Sequence, residues 1–391
     1  MRKRILFISH TSNLTGAEKC LYALLEGLNR EEFIPLVLFP GDGPLAGKVL
    51  GLGQEILIYK IPWWISYGKW TRRHFREVLF HLPERVGFLR KTLRDRKIDL
   101  VYTNTITCID GAIAAKLEGV PHVWHIHEHL TGHPDLKPYF PKPVVNRMVH
   151  ALSDRIIVPS NNLKREYDHR NALSRIEVVH NGVDVDEFAM PKASSDEPDF
   201  RESLGIDRSK KIIALVGYFH EIKGQMDFVE AAGKFSEETD NVVFLLVGEG
   251  VGNLEYTNAV KRRVKDLGLV KQVLFVPFQE NIHAVYRAID ICVSASRIES
   301  FSNVLIEAMA AAKPVIATCS GGPQEIVVDG ETGYLVPVNN PTLLAHAIAK
   351  LLSNEREATE MGRKGLERVR EHFQKKQYVN NIQRVIRELC G

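Results

Sequence analysis

The sequence has few of the features that would assign a function quickly. Its five cysteines form no C-x-x-C pair, and most lie in apolar surroundings, which favours a reducing, cytoplasmic setting over a disulfide framework. No stretch approaches the roughly 18 apolar residues of a membrane-spanning helix. The first apolar run stops at Ile8. It is too short for a signal peptide and is better interpreted as a buried β-strand.

Two further absences narrow the class of protein. The net charge is only +3, so the overall charge gives no indication of a nucleic-acid partner, and none is expected. No G-x-G-x-x-G follows the first predicted strand, which argues against a Rossmann oxidoreductase. The chain has 391 residues, which suits two domains rather than one.

Short apolar runs alternate with helical patterns along both halves of the chain. In the second half, a strand at Lys211–Gly217 precedes a helix at Gln225–Phe235 and a strand at Val242–Gly248. This alternation predicts an α/β fold in which helices cover parallel sheets. A domain boundary is expected between Val183 and Asp207, where a polar, proline-containing segment resembles an exposed linker.

The most informative segment contains two glutamates, Glu299 and Glu307, with seven residues between them. Glu299 is predicted in a loop and Glu307 about one turn into a helix. The N–H groups of Phe301, Ser302 and Asn303 are expected at the start of that helix, a position that attracts phosphate. Phosphate contacts flanked by carboxylates that accept hydroxyl groups would suit a nucleotide sugar.

This spacing resembles the E-x7-E signature of the family 4 retaining glycosyltransferases. The resemblance implies the GT-B fold, two Rossmann-like domains with parallel sheets that face a cleft. Residues 1–185 would form the acceptor-side domain and residues 186–372 the nucleotide-sugar-binding domain. A terminal helix at residues 373–391 would pack back on the first domain. The H-N-G-V-D-V-D-E-F run at His180–Phe188 resembles the family's entry to the second domain.

A second motif, V-G-Y-F-H-E-I-K-G, follows a predicted strand of the second half. It resembles the family's G-x-L-x-x-x-K-G, in which Gly217 ends the strand and Lys223 binds the donor diphosphate. The chain departs from the family at Tyr218, where an arginine is usual. Arg297 or His220 is a candidate to replace the missing cation. Without the resemblance, a surface lysine at a helix start is the favoured interpretation of Lys223, and the resemblance reverses this preference.

Three further positions are predicted to contact the donor. Gly16, in L-T-G-A-E, resembles the family's G-G-A-E motif and would allow a close backbone approach at a helix start. Gly248, in L-L-V-G-E-G, resembles the loop beside the nucleotide. Phe278 ends the next strand and would offer backbone groups to the base. Gly16 has a plainer interpretation as a helix-start glycine, and a lone G-x-G such as that of Gly248 is weak evidence by itself.

The H-I-H-E-H run at His125–His129 suggests a zinc site, because alternate strand residues share a face. No distant fourth ligand is evident and the H-E-x-x-H motif is absent, so no metal is expected. The resemblance instead implies that His127 touches the transferred sugar and positions it. His125 would be structural or an acceptor contact.

The resemblance also implies the remaining roles. Glu307 would accept hydrogen bonds from the ribose hydroxyls and Glu299 from the donor sugar. Lys223 and the N–H groups of residues 301–303 would stabilise the leaving diphosphate. Transfer would retain anomeric configuration and need no metal or other cofactor. The expected partners are a UDP- or GDP-linked sugar donor and a glycan or lipid-linked acceptor.

Residues 60–97 stand apart, because eleven Lys and Arg accompany only three Asp and Glu. The segment also holds Trp63, Trp64, Tyr67 and Trp70. Aromatic residues beside basic ones are typical of a membrane interface or of an anionic-acceptor site. A helical region with a solvated basic face and a few core aromatics is the alternative. The expected location is therefore the cytoplasm, with peripheral contact to the inner face of the membrane.

Two other functions are compatible with the same sequence motifs. A nucleotide-sugar epimerase of the GT-B fold would isomerise the donor without an acceptor. A non-catalytic nucleotide-sugar-binding protein, suggested by Tyr218, would bind the donor and leave it intact. The sequence names neither the base and sugar of the donor nor the acceptor.

Overall fold

The computed structural model describes residues 2–68, 71–168, 175–189, 199–236, 241–249 and 254–391. The chain divides into two compact units. Unit 1 comprises Met1–Asn181 together with Lys375–Gly391, and unit 2 comprises Gly182–Gln374. The chain thus passes from unit 1 to unit 2 after Asn181 and passes back to unit 1 at Lys375.

Unit 1 is built on a seven-stranded sheet in the order β3-β2-β1-β5-β6-β8-β9, and every neighbouring pair is parallel. A separate antiparallel pair joins β4 to β7. The strands are β1 (Lys3–Ser9), β2 (Phe33–Phe39), β3 (Glu55–Ile58), β4 (Ile65–Tyr67), β5 (Leu100–Asn104), β6 (His122–His125), β7 (Leu136–Pro138), β8 (Arg155–Val158) and β9 (Ile176–Val178).

Among the residues of unit 1 that the structure describes, eight helices accompany the strands. They are α1 (Gly16–Gly27), α2 (Pro44–Gly51), α3 (Arg72–Phe80), α4 (Leu82–Asp95), α5 (Asp110–Glu118), α6 (Lys142–Leu152), α7 (Asn161–Tyr167) and, after the return of the chain, α17 (Lys375–Cys390). The apolar run of β1 is buried on both faces. Ile5 and Phe7 pack with α1 and α17, whereas Leu6 and Ile8 pack into the second core beside α4 and α5. Burial of both faces is what a central parallel strand requires.

Unit 2 repeats the plan with a six-stranded parallel sheet in the order β12-β11-β10-β13-β14-β15. Its strands are β10 (Lys211–Val216), β11 (Val242–Val247), β12 (Val273–Val276), β13 (Ile291–Ser294), β14 (Val315–Thr318) and β15 (Gly333–Val336). Its helices are α8 (Val185–Ala189), α9 (Phe200–Ser203), α10 (Gln225–Ser236), α11 (Leu254–Asp266), α12 (Ile282–Ala288), α13 (Asn303–Ala310), α14 (Pro323–Ile326), α15 (Pro341–Ser353) and α16 (Glu355–His372).

The predicted α/β class with parallel sheets is confirmed. The boundary was expected after residue 185 with a terminal helix at 373–391; the chain divides after Asn181 and returns at Lys375. The predicted linker falls largely outside the described residues. None of the helices in the described part of the chain combines the length and apolar character that a bilayer-spanning segment needs. All five cysteines are free thiols, and only Cys319 is exposed.

Candidate functional site

Most of the predicted site residues lie at one edge of the unit 2 sheet. The strand order reverses direction between β10 and β13, which are adjacent and parallel. The loops that leave the carboxyl ends of these two strands carry Lys223 and Glu299. Open α/β sheets bind ligands outside the carboxyl ends of their strands, at the point where the strand order reverses. The fold therefore places the two predicted residues at a ligand-binding position.

Lys223 and Glu299 form an ion pair, with 2.6 Å between Nζ and Oε2. Their side chains are 22% and 13% exposed, so solvent screens the pair only in part. Burial acts to lower the pKa of Lys223, but the Glu299 carboxylate and the Tyr218 phenol outweigh it, and the pKa is raised. The ammonium group is thus kept charged beside a carboxylate, which allows one group to bind phosphate and the other to bind hydroxyls.

The loop that carries Glu299 is fixed by backbone contacts. The Glu299 N–H donates to the Ser320 carbonyl at 3.0 Å, and the Gly322 N–H donates to the Glu299 carbonyl at 2.8 Å. A Cβ at Gly322 would lie 2.4 Å from the Phe301 Cα atom, so this close approach requires glycine. The two loops after β13 and β14 therefore hold each other in place.

Replacing Gly322 by alanine is expected to destabilise unit 2 and to move Glu299. The added methyl group meets backbone rather than a flexible side chain, and the cost is expected at roughly 1–3 kcal/mol. A lower melting temperature checks this prediction. Gly47→Ala is the matched control, because a Cβ there meets nothing within 4 Å and the change should be neutral or slightly stabilising. Equal melting temperatures for the two variants would contradict the packing argument.

Helix α13 begins where the phosphate contact was predicted. Ser302 precedes its first residue, Asn303, and adopts a left-handed backbone with φ of 106° although it is not glycine. Backbone strain of this kind is concentrated at functional sites. Phe301 is buried against Phe373, which anchors the loop in the core. The first turn of a helix has N–H groups without intrahelical partners, and the predicted anion contact of residues 301–303 stays a prediction.

Glu307 lies one turn into α13, as predicted, and is largely buried. The hydroxyl of Tyr286, on α12, donates to its Oε2 atom at 2.9 Å. Tyr286 is itself fully buried, so this contact fixes the carboxylate in one orientation. Tyr286 could not be predicted from the sequence, because it lies 21 residues from Glu307 and in another helix.

The glycine and aromatic positions of the predicted donor site lie at the ends of neighbouring strands. Gly217 follows β10 and Gly248 follows β11; a Cβ at Gly248 would lie 2.2 Å from the Gly217 carbonyl oxygen. Phe278 follows β12 and is 51% exposed. A half-exposed aromatic ring at this edge can pack against a planar base. Gly250, the second glycine of the motif, lies outside the described residues.

Tyr218, which stands where the family has an arginine, contacts Lys223. The lysine Nζ lies 5.5 Å from the centre of the tyrosine ring, within cation–π range. The two suggested replacement cations both contact protein groups, and their role toward the donor stays a prediction. Arg297 binds the Asp227 carboxylate at 3.2 Å, and His220 caps the turn at Glu221–Lys223 by accepting from the Ile222 N–H.

The unit 1 residues of the prediction lie at the corresponding edge of the other sheet. Gly16 is the first residue of α1. His127 follows β6 and is buried, with its Nε2 atom 3.1 Å from the Asn104 Oδ1 atom. The Asn104 side chain also donates to the Ala17 carbonyl at 3.3 Å, so one amide connects His127 to the start of α1.

The three histidines of H-I-H-E-H have separate partners. His125 lies 2.6 Å from the Tyr102 hydroxyl, and His129 binds the Glu166 carboxylate at 2.5 Å. His127 contacts Asn104. Within the described ranges, no three His, Cys, Asp or Glu side chains are grouped so as to hold a metal ion.

Acidification is expected to destabilise unit 1 through His127. Burial lowers its pKa from 6.5 to about 4, so the unfolded chain binds more protons between these pH values and the folded state loses stability as the pH falls. The full effect is roughly 3 kcal/mol. His127→Gln should flatten the decrease in unfolding free energy between pH 6.5 and 4. The exposed His81 provides the control, and equal slopes for His81→Gln and His127→Gln would contradict the assignment.

Two family models match the chain. The model described as glycosyltransferase family 4 matches residues 14–187, and the model described as glycosyl transferases group 1 matches residues 196–368. The two parallel sheets and the two matched models together place the chain in the GT-B class of folds and in one family. The chain belongs to glycosyltransferase family 4, as the E-x7-E resemblance predicted.

Curated relatives match over part of their length. The chain is 36% identical over 208 residues to a D-inositol 3-phosphate glycosyltransferase of Mycobacteroides abscessus, which covers 51% of this chain and 44% of the relative. It is 32% identical over 210 residues to an N-acetyl-alpha-D-glucosaminyl L-malate synthase of Bacillus anthracis. This match covers 54% of this chain and 53% of the relative. The chain thus spans about half the length of the curated relatives it matches.

Solved structures confirm the fold along nearly the whole chain. The Anabaena protein HepE in complex with UDP-glucose superimposes with a TM-score of 0.84 at 22% identity, covering 98% of this chain and 99% of that chain. A sucrose-phosphate synthase of Thermosynechococcus elongatus superimposes with a TM-score of 0.77 at 22% identity, covering 99% of this chain and 99% of that chain. At these identities the likeness establishes the architecture only.

Proposed function

We propose that this chain transfers a sugar from a UDP- or GDP-linked donor to an acceptor hydroxyl, with retention of anomeric configuration. The observation that carries the proposal is the Lys223–Glu299 ion pair of 2.6 Å at the reversal point of the unit 2 sheet. An ammonium group suits the diphosphate and the adjacent carboxylate suits sugar hydroxyls. Glu307, held by Tyr286, would receive the ribose hydroxyls.

The proposed catalysis relies on positioning and on charge. Lys223 stabilises the negative charge that develops on the leaving diphosphate, and the acceptor proton passes to that diphosphate. Donor contacts of Gly16 and the sugar contact of His127 are part of the same proposal. It needs no metal or other cofactor, so activity should persist in EDTA. Restoration by Mn²⁺ after loss in EDTA would contradict the metal-independent reaction.

The acceptor is proposed to carry an anionic group. The names of the two relatives above specify inositol 3-phosphate and L-malate, both of them hydroxyl compounds with an acidic group. A role in polysaccharide or glycoconjugate synthesis, with a glycan or lipid-linked acceptor, is the broader proposal. Inositol 3-phosphate and L-malate are therefore the first two acceptors to test in the transfer assay.

Peripheral membrane contact through residues 60–97, on the cytoplasmic side, is a further part of the proposal. Helix α3 exposes Leu79 and Phe80 beside its arginines, and Tyr67 is 53% exposed. Trp64, by contrast, is buried and donates to the Ile106 carbonyl, while Lys69 and Trp70 lie outside the described residues. Binding to anionic liposomes that is unchanged by charge reversal on α3 would remove the membrane proposal.

Release of nucleoside diphosphate from a panel of UDP-, GDP- and ADP-sugars, with EDTA present, tests the proposed function. Slow hydrolysis of one donor, accelerated by an acceptor, is the expected result and identifies base and sugar together. Isomerised donor without an acceptor would indicate an epimerase. Tight donor binding with neither transfer nor hydrolysis across an acceptor screen would indicate a non-catalytic binding protein.

A further inference from the structure

The reversal point of the unit 1 sheet carries polar groups that the proposed donor site does not use. The strand order reverses between β1 and β5, which are adjacent and parallel. His10 directly follows β1, and Asn104 ends β5. The next residue, Thr105, is buried with a left-handed φ of 82°. Strand reversal and backbone strain at one edge are both typical of a ligand site.

His10 forms an ion pair with Glu18 of α1, with 3.1 Å between Nδ1 and Oε1. The Thr15 hydroxyl donates to the other carboxylate oxygen of Glu18. The Glu18 side chain is fully enclosed, whereas that of His10 is 13% exposed. Glu18 therefore orients the imidazole, and the ring nitrogen that points away from it, Nε2, is the atom that can meet a ligand.

The charges around the pair favour the imidazolium form. Burial acts to lower the pKa of His10, but the adjacent Glu18 carboxylate, together with the charge of Glu128, outweighs it and raises the pKa. Burial likewise acts to raise the pKa of Glu18, but His10 and Thr15 lower it, with a smaller contribution from His127. Glu128 accepts from the Ile106 and His127 N–H groups, and burial raises its pKa.

The basic segment of unit 1 is joined to this pair. The Trp63 indole N–H donates to the His10 carbonyl at 3.1 Å, and the two rings lie 5.1 Å apart. The Trp63 carbonyl in turn lies 3.3 Å from the His74 Nε2 atom of α3. Helix α3 exposes three arginines, Arg72, Arg73 and Arg76. Their positive potential favours an anion in this part of the unit.

We infer that His10, oriented by Glu18, binds an anionic oxygen of the acceptor, a carboxylate or a phosphate. His10 is then a substrate-binding residue and Glu18 a positioning residue that acts through it. The inference rests on the proposed function, since it assigns the acceptor subsite of the same reaction. It also gives the basic segment at residues 60–97 a role in acceptor binding.

The experiment measures how L-malate and inorganic phosphate raise the melting temperature of the full chain at constant ionic strength. A ligand that binds only the folded state raises this temperature. Histidine ring NMR in the same titrations follows the His10 signal, assigned by its loss in His10→Asn. A saturable shift of that signal is expected with at least one anion and not with chloride. The two anions separate carboxylate from phosphate recognition.

Two variants separate ligand binding from a purely structural role. His10→Asn keeps an amide donor toward Glu18 but has no atom at the Nε2 position, and it should lose the anion response. Glu18→Gln should weaken anion binding about tenfold, because the imidazolium is less favoured. The matched control is His129→Gln, since His129 and Glu166 form the other buried His–Glu pair described above. That variant should respond to anions like the parent protein.

No response of the parent protein to either anion, or an undiminished response in His10→Asn, would overturn the inference. The same samples are tested with UDP, whose binding depends on unit 2. GDP is tested beside UDP, because either could be the base of the donor. Binding of neither nucleotide by the parent protein would count against the proposed function, whereas normal binding of one of them without a His10 response counts against the acceptor subsite alone.

Discussion

Glu307→Ala is expected to remove nearly all affinity for a nucleoside diphosphate. The carboxylate is proposed to accept two hydrogen bonds from the ribose, and hydrogen bonds to a charged group contribute about 1.5–3 kcal/mol each. Losing both corresponds to an increase in Kd on the order of 10²–10⁴-fold. Because Tyr286 already fixes the carboxylate, no other side chain needs to move for it to bind ribose.

Calorimetric titration with UDP and GDP measures this effect. Glu307→Gln keeps an acceptor for the Tyr286 hydroxyl and should lose less nucleotide affinity than Glu307→Ala. Tyr286→Phe should also lose nucleotide affinity, because Glu307 is no longer held in one orientation. Glu255→Ala, on the exposed face of α11 in the same unit, is the matched control. Unchanged Kd in Glu307→Ala for both nucleotides would remove Glu307 from the ribose site.

Lys223→Ala is expected to reduce kcat by roughly 10²–10³-fold, the loss typical of removing one donor from a developing oxyanion. Unlike Glu307→Ala, it acts mainly on the transition state, in which the leaving diphosphate gains charge. The variant also leaves the Glu299 carboxylate, 13% exposed, without its counter-ion. Some loss of stability should therefore accompany the loss of rate.

The double variant Lys223→Ala/Glu299→Ala separates these two effects. If the lost stability arises from an uncompensated Glu299, the double variant should be more stable than Lys223→Ala while remaining inactive. Lys265→Ala on α11, which changes an exposed lysine of the same unit, controls for net charge. Turnover in Lys223→Ala equal to that of the control would contradict the role of Lys223 at the diphosphate.

The fold could be predicted from the sequence because the patterns that indicate its strands and helices are local. A parallel strand buried on both faces, such as β10, is a short apolar run, and the following helix has its own periodicity. Glu299 and Glu307 could be predicted as site residues for the same reason, since their spacing lies along a single loop and helix. The three-residue strands β4 and β7 were not predicted, because segments of this length carry no periodic pattern.

The contacts that complete each site are not local. Tyr286 approaches Glu307 only after α12 and α13 have packed, and His10 approaches Glu18 across a loop. Neither pair has a spacing that predicts contact. The aromatic residues of segment 60–97 show the same limit, since sequence cannot distinguish the buried Trp64 from the exposed Tyr67. Burial is decided by tertiary packing rather than by residue type.

The return of α17 to unit 1 has a consequence for synthesis on the ribosome. Tyr378, Ile382 and Ile386 fill the core that α1 and β1 share, yet they emerge only after all of residues 182–374. At the usual 5–20 residues per second, the nascent unit 1 waits on the order of ten to forty seconds with that apolar face uncovered. Unit 2 can fold during this interval, whereas unit 1 cannot complete its core until α17 has emerged.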